Sequence, residues 1–304
     1  MNDWQEELIR LYLLICEHFD RTLVLHAQRM SNNHQPACSD QEVLTTYLFG
    51  LMQQRRSLSE IHRYCRMHLH EWFPRLPGYV AFVNRLNRLT STFSVLIEQL
   101  QPLFPAFQTA AQTTAQVHLV DALPIMLAKP TRSDRARVAE QLAAKGYCAS
   151  KATWYYGVKL HVAARQQPGH LPLPAAVSLT SAAEHDLVGF DLLLPAVAAS
   201  DVYADRAYKM YAQNPELRER LFQQQHTRVY TPIQRAQGQQ RLDYLEQVYS
   251  TSVSRVRQPI ESFFNWIEQK TAIQTASRVR STKGLLVHVF GRLAAAMILL
   301  LFNS

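Results

Sequence analysis

Apolar residues in the first third of the chain recur at the three-to-four-residue spacing of α-helices. This period dominates from residue 4 to about residue 107, and strand-like alternation is scarce there, so we expect an all-α region. Two segments, residues 39–42 and 57–60, have the form of a capping box, in which a serine is followed three residues later by a glutamate. The first box predicts a helix that runs to Arg55. The two helices and the helical segment at residues 84–89 are typical of a helix-turn-helix DNA reader, and equally of a small helical bundle.

The pattern changes near residue 115, where short β-prone runs begin to alternate with helical segments. The predicted strands are VHLVDALPI, WYYGVKLHVAA, LPAAVSLT, SDVYADRAY and HTRVYTPI. Helices are expected at residues 184–199 and 215–225 and around Glu261, which gives the order β-β-β-α-β-α-β-α. We therefore predict two domains, a helical and DNA-binding domain at residues 1–114 and an α/β domain at residues 115–304.

Both ends of the chain carry apolar stretches, which occur in secretion signals and membrane spans as well as in folded helices. The first twenty residues carry acidic side chains and helical spacing, so they predict a folded helix and not a secretion signal. The last apolar stretch approaches the length of a membrane span, but His288 and Arg292 interrupt it, and we expect a core helix. The four cysteines show no metal-ligand spacing, which is typical of a reducing, cytoplasmic environment.

Basic residues exceed acidic ones, and many of them lie in the helical region. Lys and Arg number 32 against 24 Asp and Glu, giving a net charge of +8. This excess favours an anionic partner such as nucleic acid. Seven arginines suited to phosphate contacts, or alternatively to solvated helix faces, are Arg55, Arg56, Arg63, Arg66, Arg75, Arg85 and Arg88.

Three acidic residues stand out by their local setting. Asp121 in LVDALPI and Asp205 in VYADRAY each interrupt a β-prone apolar run at or near its end, whereas Glu261 lies in a stretch with helical spacing. Carboxylates are the ligands that hard divalent cations prefer. If the strands and the helix converge, the three residues form one divalent-metal site.

The chain resembles a known family in several stretches that span about half of its length. They are VDALPI, GYCASKATWYYGVKLHVAA, LTSAAEHDL, ADRAY and the segment from Arg257 through Glu261 to Lys270. In these stretches the chain resembles bacterial insertion-sequence transposases of the DDE type, most closely the insertion-sequence-982 family. The resemblance implies a ribonuclease-H-like fold, in which a mixed five-stranded sheet carries acids on its first and fourth strands and on a following helix.

The resemblance also implies an activity, a cofactor and partners. Such an enzyme binds the terminal inverted repeats of its mobile element and catalyses metal-dependent cleavage and transfer of the ends to target DNA. Two Mg²⁺ ions, for which Mn²⁺ is expected to substitute, are held by Asp121, Asp205 and Glu261, with Asp121 shared between the ions. A homodimer on double-stranded DNA is expected, in the cytoplasm of a bacterium and associated with its nucleoid, and no membrane partner is expected.

Several basic residues near the motifs are candidates for binding DNA phosphate. The five candidates are Lys151, Lys159, Arg206, Arg257 and Lys270. For Lys159, which shares a strand face with His161, solvent-facing alternation is an equal alternative. His185 and Asp186 in SAAEHDL predict either a helix cap or support for the active site.

Competing acids and departures from the family pattern leave alternatives open. Asp201 lies four residues before Asp205 on the same strand face, and Glu268 lies two helical turns beyond Glu261. The chain has Arg-Ala where the family has Lys-Gly after the second aspartate, which puts in doubt any turn there that needs positive φ. It also has Ser254 in place of a tyrosine, and Glu268 in place of a lysine. A transposase-derived DNA-binding regulator that no longer cuts, or a ribonuclease-H-like nuclease, therefore remains an alternative.

Overall fold

The computed structural model describes residues 3–27, 36–108 and 116–303. It divides into two compact units, a helical unit of Met1–Phe104 with Ile267–Ser304 and an α/β unit of Pro105–Trp266. The predicted boundary between residues 114 and 115 lies outside the described residues. The structure also differs from the predicted division at the other end, because residues 267–304 pack with the N-terminal helices and not with the sheet.

The described residues form twelve α-helices, six strands and five short 3-10 helices. The α-helices are α1 (Asp3–Arg21), α2 (Asp40–Met52), α3 (Leu58–His68), α4 (Tyr79–Arg88), α5 (Thr90–Leu100), α6 (Pro105–Gln108), α7 (Pro130–Ser133), α8 (Asp186–Leu193), α9 (Lys209–Gln213), α10 (Pro215–Gln225), α11 (Tyr244–Thr271) and α12 (Thr282–Phe302). The strands are β1 (Gln116–Ala128), β2 (Ala144–Cys148), β3 (Thr153–Arg165), β4 (Leu173–Ser181), β5 (Ser200–Ala204) and β6 (Arg228–Tyr230). The 3-10 helices are Leu23–His26, Gln101–Leu103, Ala149–Lys151, Leu194–Val197 and Arg206–Tyr208.

Both predicted capping boxes are confirmed. In each box the serine hydroxyl accepts a hydrogen bond from the glutamate amide, and the glutamate carboxylate accepts one from the serine amide, which satisfies two N–H groups at the starts of α2 and α3. Helix α2 ends at Met52 and not at Arg55 as predicted. The chain turns there because Gln54 adopts a left-handed conformation with φ of 57°.

The last helix, α12, lies in the core of the helical unit. It is apolar almost all round, so it must be covered on several sides. The Tyr47 hydroxyl of α2 donates to the Val287 carbonyl at 3.1 Å, and a Cβ at Gly291 would lie 2.5 Å from the Tyr47 ring. Helix α12 is the one described helix whose length and composition would suit a membrane span, and most of it is buried inside this unit. The predicted core helix is confirmed in that sense.

A buried arginine ties three segments of the helical unit together. Arg292 donates to the carbonyls of Thr271 and Arg56, and its Nε donates to Nδ1 of His288 at 3.1 Å. Thr271 is the last residue of α11, where unpaired carbonyls and the negative end of the helix dipole favour a cation. Arg292 thereby fixes the connection between α2 and α3 against the end of α11.

The α/β unit is built on one mixed sheet. Strands β1, β3 and β4 form the predicted antiparallel meander, and β1, β5 and β6 run parallel to one another. The sequence analysis missed β2, which pairs with the early part of β3 while β4 pairs with its later part. The sheet order is therefore β2-β3-β1-β5-β6, with β4 on the same edge of β3 as β2.

The pairing between β1 and β5 is short, so the later part of β1 has no neighbour on that side among the described strands. It begins at Gln116 with Ser200 and ends at Val120 with Ala204, although β1 continues to Ala128. Beyond Val120, strand β1 keeps β3 as its partner among the described strands. Pro124, which has no N–H to donate, is tolerated in this part of β1 because one side of the strand lacks a ladder.

Both faces of the sheet bury apolar side chains, and one of them packs against helices α8 to α10. The cluster of buried side chains joins strands β1, β3, β5 and β6 to helices α8 to α10; it consists of Val120, Ala163, Phe190, Leu193, Val197, Val202, Ala204, Tyr208, Tyr211, Leu221 and Val229. Gly189 brings α8 against this face, since a Cβ there would lie 2.3 Å from the ring of His161. Residues that alternate with this cluster, such as Asp121, point to the opposite face.

The buried His288 predicts a loss of stability in mild acid. Burial and the neighbouring Arg292 hold the pKa of His288 well below its usual value, and its neutral ring accepts from Arg292 at Nδ1 while Nε2 donates to Ile273 at 2.8 Å. The ring in the unfolded chain binds a proton near pH 6.5, so the free energy of unfolding falls below that pH by up to about 1.4 kcal/mol per pH unit. We expect the Tm of His288→Gln to fall less than that of the unaltered protein between about pH 7.5 and about pH 5.5. The exposed His26→Gln serves as the control, and equal falls for all three proteins would contradict the prediction.

Candidate active site

The strand register brings the two predicted aspartates side by side. Val120 of β1 and Ala204 of β5 are the last pair of the parallel ladder, and the next residue on each strand is an aspartate, Asp121 and Asp205. Neighbouring strands lie about 4.8 Å apart, so the backbones of the two aspartates leave the ladder close together. The two carboxylates therefore lie near each other, at the point where β1 and β5 stop pairing.

Asp205 also starts the segment that follows β5. It lies just beyond the end of the strand, and its Oδ1 accepts from the amide of Ala207 at 2.8 Å, which caps the 3-10 helix Arg206–Tyr208. That helix is right-handed, and Ala207 is absent from the described residues that have positive φ. Alanine in place of glycine is therefore compatible with this turn.

Helix α11 provides the third acid and an arginine that links it to the first. Arg257 and Glu261 are four residues apart, so they lie on the same face of the helix. Arg257 donates to Oδ2 of Asp121 at 2.8 Å, and its other amino group is hydrogen-bonded to the Glu261 carboxylate. The structure thus brings Glu261 to the aspartates through the Arg257 guanidinium.

Burial dominates the electrostatics of the two aspartates. Burial raises the pKa of Asp121 to about 6; the neighbouring Asp205 and Glu261 add to the rise, and Arg257 opposes it. Burial likewise raises the pKa of Asp205, against the amide of Ala207 and the charge of Arg257. Asp121 exposes 21% of its side chain and Glu261 exposes 50%, so solvent reaches the site from the side of the helix.

A second ion pair lies next to these acids. Lys159 of β3 donates to Oδ1 of Asp186 at 2.8 Å and to the carbonyl of Glu184 at 2.7 Å. His185 caps α8 by accepting from the amide of Leu187, so the predicted cap is confirmed for the histidine. Asp186 instead holds Lys159, and its charge contributes to the raised pKa of Asp205.

Sequence reasoning missed Tyr208 as part of this site. Tyr208 is buried, and its hydroxyl has no hydrogen-bond partner among the described residues. Burial raises its pKa well above the usual value, and the charges of Asp186, Asp121 and Asp205 raise it further. The signal in the sequence was the tyrosine of ADRAY, three residues after the second aspartate, which places the ring one turn into the capped segment.

The five predicted DNA-binding residues belong to both units. Arg206 and Lys151 are exposed in the α/β unit, and Lys270 is half-buried in the last turn of α11, within the helical unit. Lys159 exposes 16% of its side chain and Arg257 exposes 15%. Both are paired with carboxylates. Lys159 is therefore engaged by Asp186, and Arg257 by Asp121 and Glu261.

The two competing acids have different settings from the three site acids. Asp201 is opposite Val117 of β1, four residues before Asp121, which corresponds to about 13 Å along a strand. Glu268 belongs to the helical unit, where its carboxylate accepts from the amide of Gln274 at 2.8 Å. The register and this capping bond distinguish both acids from Asp205 and Glu261.

The acids suit a divalent cation in their chemistry, although a guanidinium lies among them. No group of three or more His, Cys, Asp or Glu side chains in the described part of the chain is arranged to hold a metal ion. The donors are nevertheless carboxylate oxygens, which Mg²⁺ and Mn²⁺ prefer, and burial raises the pKa of both aspartates, a rise that a bound cation would oppose. The chemistry of the donor set fits such an ion, and in this structure Arg257 is paired with Asp121 and Glu261.

The comparisons with known proteins concern the same part of the chain. The family model described as "Transposase DDE domain" matches residues 113–298 of the 304, a range that includes all three acids. The chain matches none of the curated proteins and none of the solved structures with which it was compared. Proteins of this family act on DNA, and they generally use divalent metal ions. Because the match spans more than half of the chain, this protein belongs to the family of transposases with a DDE domain.

Proposed function

We propose that the protein binds the ends of its own mobile element, cleaves the DNA there and joins the ends to target DNA. The observation that carries the proposal is the convergence of Asp121, Asp205 and Glu261 within the residues matched by the family model. The three acids are the catalytic set. The order of strands and the meander support a ribonuclease-H-like fold, and the motifs support a bacterial insertion-sequence element of the insertion-sequence-982 type.

The three carboxylates would hold Mg²⁺, two ions in all, with Mn²⁺ as a substitute. When bound, the metal supplies activation of a water or 3′-hydroxyl nucleophile and stabilisation of the leaving oxygen. Asp121 and Asp205 are fixed for this task by the strand register and by the Ala207 amide. Glu261 comes from a helix and is half-exposed, so it is the acid best able to adjust when DNA enters.

DNA is held by basic groups in both units. Arg206 and Lys151 lie exposed in the α/β unit, Lys159 and Arg257 become available when their acids take other partners, and Lys270 acts from the helical unit. The helical unit binds the element ends. Because two ends must be joined, the protein acts as a homodimer on DNA, in the bacterial cytoplasm at the nucleoid.

Replacement of Asp121 by asparagine separates chemistry from binding. Asp121→Asn keeps the shape of the side chain and removes the charge that holds the cation, so we expect cleavage of the terminal DNA to fall at least about a thousandfold, whereas DNA affinity stays within about threefold. Cleavage and joining are measured with Mg²⁺ on labelled end fragments, and affinity is measured in EDTA. The matched control is Asp201→Asn, which removes an acid from the same sheet and should leave cleavage unchanged.

The same assay decides between the proposed activity and its alternatives. Unaltered protein that binds the end fragments without cutting them would contradict the transposase and support a DNA-binding regulator. Cut fragments that are never joined to target DNA would support a nuclease. Equal cleavage by Asp121→Asn and unaltered protein would exclude the acid set itself.

Removal of the Arg257 guanidinium should increase affinity for metal. Arg257 places a positive charge between Asp121 and Glu261, and this charge competes with a divalent cation for the same oxygens. We expect Arg257→Gln to bind Mn²⁺ about tenfold more tightly than the unaltered protein, measured by calorimetry without DNA. Arg255→Gln, an exposed arginine on the same helix, is the control. Weaker Mn²⁺ binding by Arg257→Gln would show that the guanidinium positions the carboxylates and does not compete for them.

A further inference from the structure

Two adjoining cavities in the helical unit form one groove lined with arginine. Their volumes are about 520 Å³ and about 440 Å³, and both are lined by Arg56 and Glu60. We call this surface the arginine groove and define it by its five exposed arginines, Arg55, Arg56, Arg63, Arg278 and Arg280. The first three belong to α3 and the connection before it, and the last two belong to the connection between α11 and α12.

Buried contacts hold these two distant parts of the chain together. Tyr47 bonds to Val287 of α12, and Arg292 of the same helix donates to the carbonyl of Arg56 at 2.7 Å. Arg292 itself is buried and lines the larger cavity. The groove is therefore a preformed feature of the helical core, which lowers the ordering cost of binding a ligand.

The charge of the groove is strongly positive. Together the two cavities are lined by six arginines, with Arg292 included, and by two glutamates, Glu60 and Glu268, so the formal charge is +4 with histidines neutral. Glu60 also accepts from the amides of Arg56 and Ser57, and Glu268 accepts from the amide of Gln274, which orients both carboxylates without removing their charge. Two carboxylates against six guanidinium groups leave most of the positive charge unneutralised.

The groove arginines have few competing partners in the described part of the chain. Arg278 approaches Glu60 at 3.7 Å, the limit of an ion pair, and Arg55 lies over the ring of Tyr64 at 4.7 Å. Arg280 donates to the carbonyls of Ser277 and Val279, which orients it without neutralising its charge. Exposed ion pairs of this kind contribute little, so a bound anion can replace them at small cost.

We propose that the arginine groove binds the phosphate backbone of duplex DNA. Guanidinium groups bind phosphate in bidentate fashion, and five of them spread over two cavities suit a repeating polyanion better than a single small anion. The connection between α11 and α12 thus belongs to the DNA-contacting surface, together with the N-terminal helices. The choice of DNA as the polyanion rests on the proposed function.

The experiment compares paired substitutions in the full chain. Arg278→Gln with Arg280→Gln, and separately Arg55→Gln with Arg63→Gln, each remove two charges from one side of the groove. Affinity for a labelled duplex of about 30 base pairs is measured by fluorescence anisotropy in EDTA over a range of salt concentrations. We expect each pair to weaken binding about tenfold or more and to lower the slope of log K against log salt by about 2.

A matched control removes the same charge elsewhere in the helical unit. Arg10→Gln with Arg21→Gln alters two exposed arginines of α1 that do not line the groove, and unchanged Tm values verify that all three variants fold. Equal affinities and salt slopes for the groove and control variants would overturn the proposal. The outcome is independent of cleavage, because EDTA removes the metal. If the protein never cuts DNA but the groove variants lose affinity, the proposed cleavage activity is wrong and the proposed DNA-binding groove is supported. If the protein cuts DNA but the groove variants keep their affinity, only the proposal for the groove is wrong.

Discussion

The end of the parallel ladder between β1 and β5 is the constraint on which the site depends. Because the last pair is Val120 with Ala204, the following residue on each strand is an aspartate that leaves the sheet at the same level. A slip of one residue in β1 would move Asp121 into the cluster that Val120 now fills, and would move Val120 to the face that Leu119 and Leu123 fill. The packing around Val120 and Leu119 therefore favours the observed register, and the register places the two aspartates.

Burying two aspartates together creates an electrostatic cost that a neighbouring group must offset. Arg257 does so for Asp121, and its spacing of four residues from Glu261 brings the third acid to the same guanidinium. The pKa of Asp121 is still raised to about 6, so one guanidinium does not compensate fully. Partly buried carboxylates that one guanidinium does not fully compensate favour an additional positive charge beside them.

Local sequence patterns predicted those parts of the fold that local physics controls. Spacing and side-chain type predicted the capping boxes, the five strands other than β2, and the core character of α12. The pairing of Lys159 with Asp186 and the choice between Asp201 and Asp205 depend on contacts between distant segments, which a single sequence does not record. The same is true of β2, a short segment with glycine at its centre, and of the return of residues 267–304 to the N-terminal helices.

The net charge of the chain indicates an anion-binding surface only after the arginines that are paired within the fold are distinguished from the exposed ones. Arg85, one of the arginines that the sequence offered for phosphate, is paired with Asp40 and donates to the Cys38 carbonyl, so its charge is used within the fold. Arg292 is buried and donates to the Thr271 carbonyl at the end of α11 and to His288. Apart from such residues, one local concentration of arginines lies where two chain segments meet, around Arg56 and Arg278. A polyanion would respond to this local concentration and not to the total, because salt screens charges that lie more than about 8 to 10 Å away.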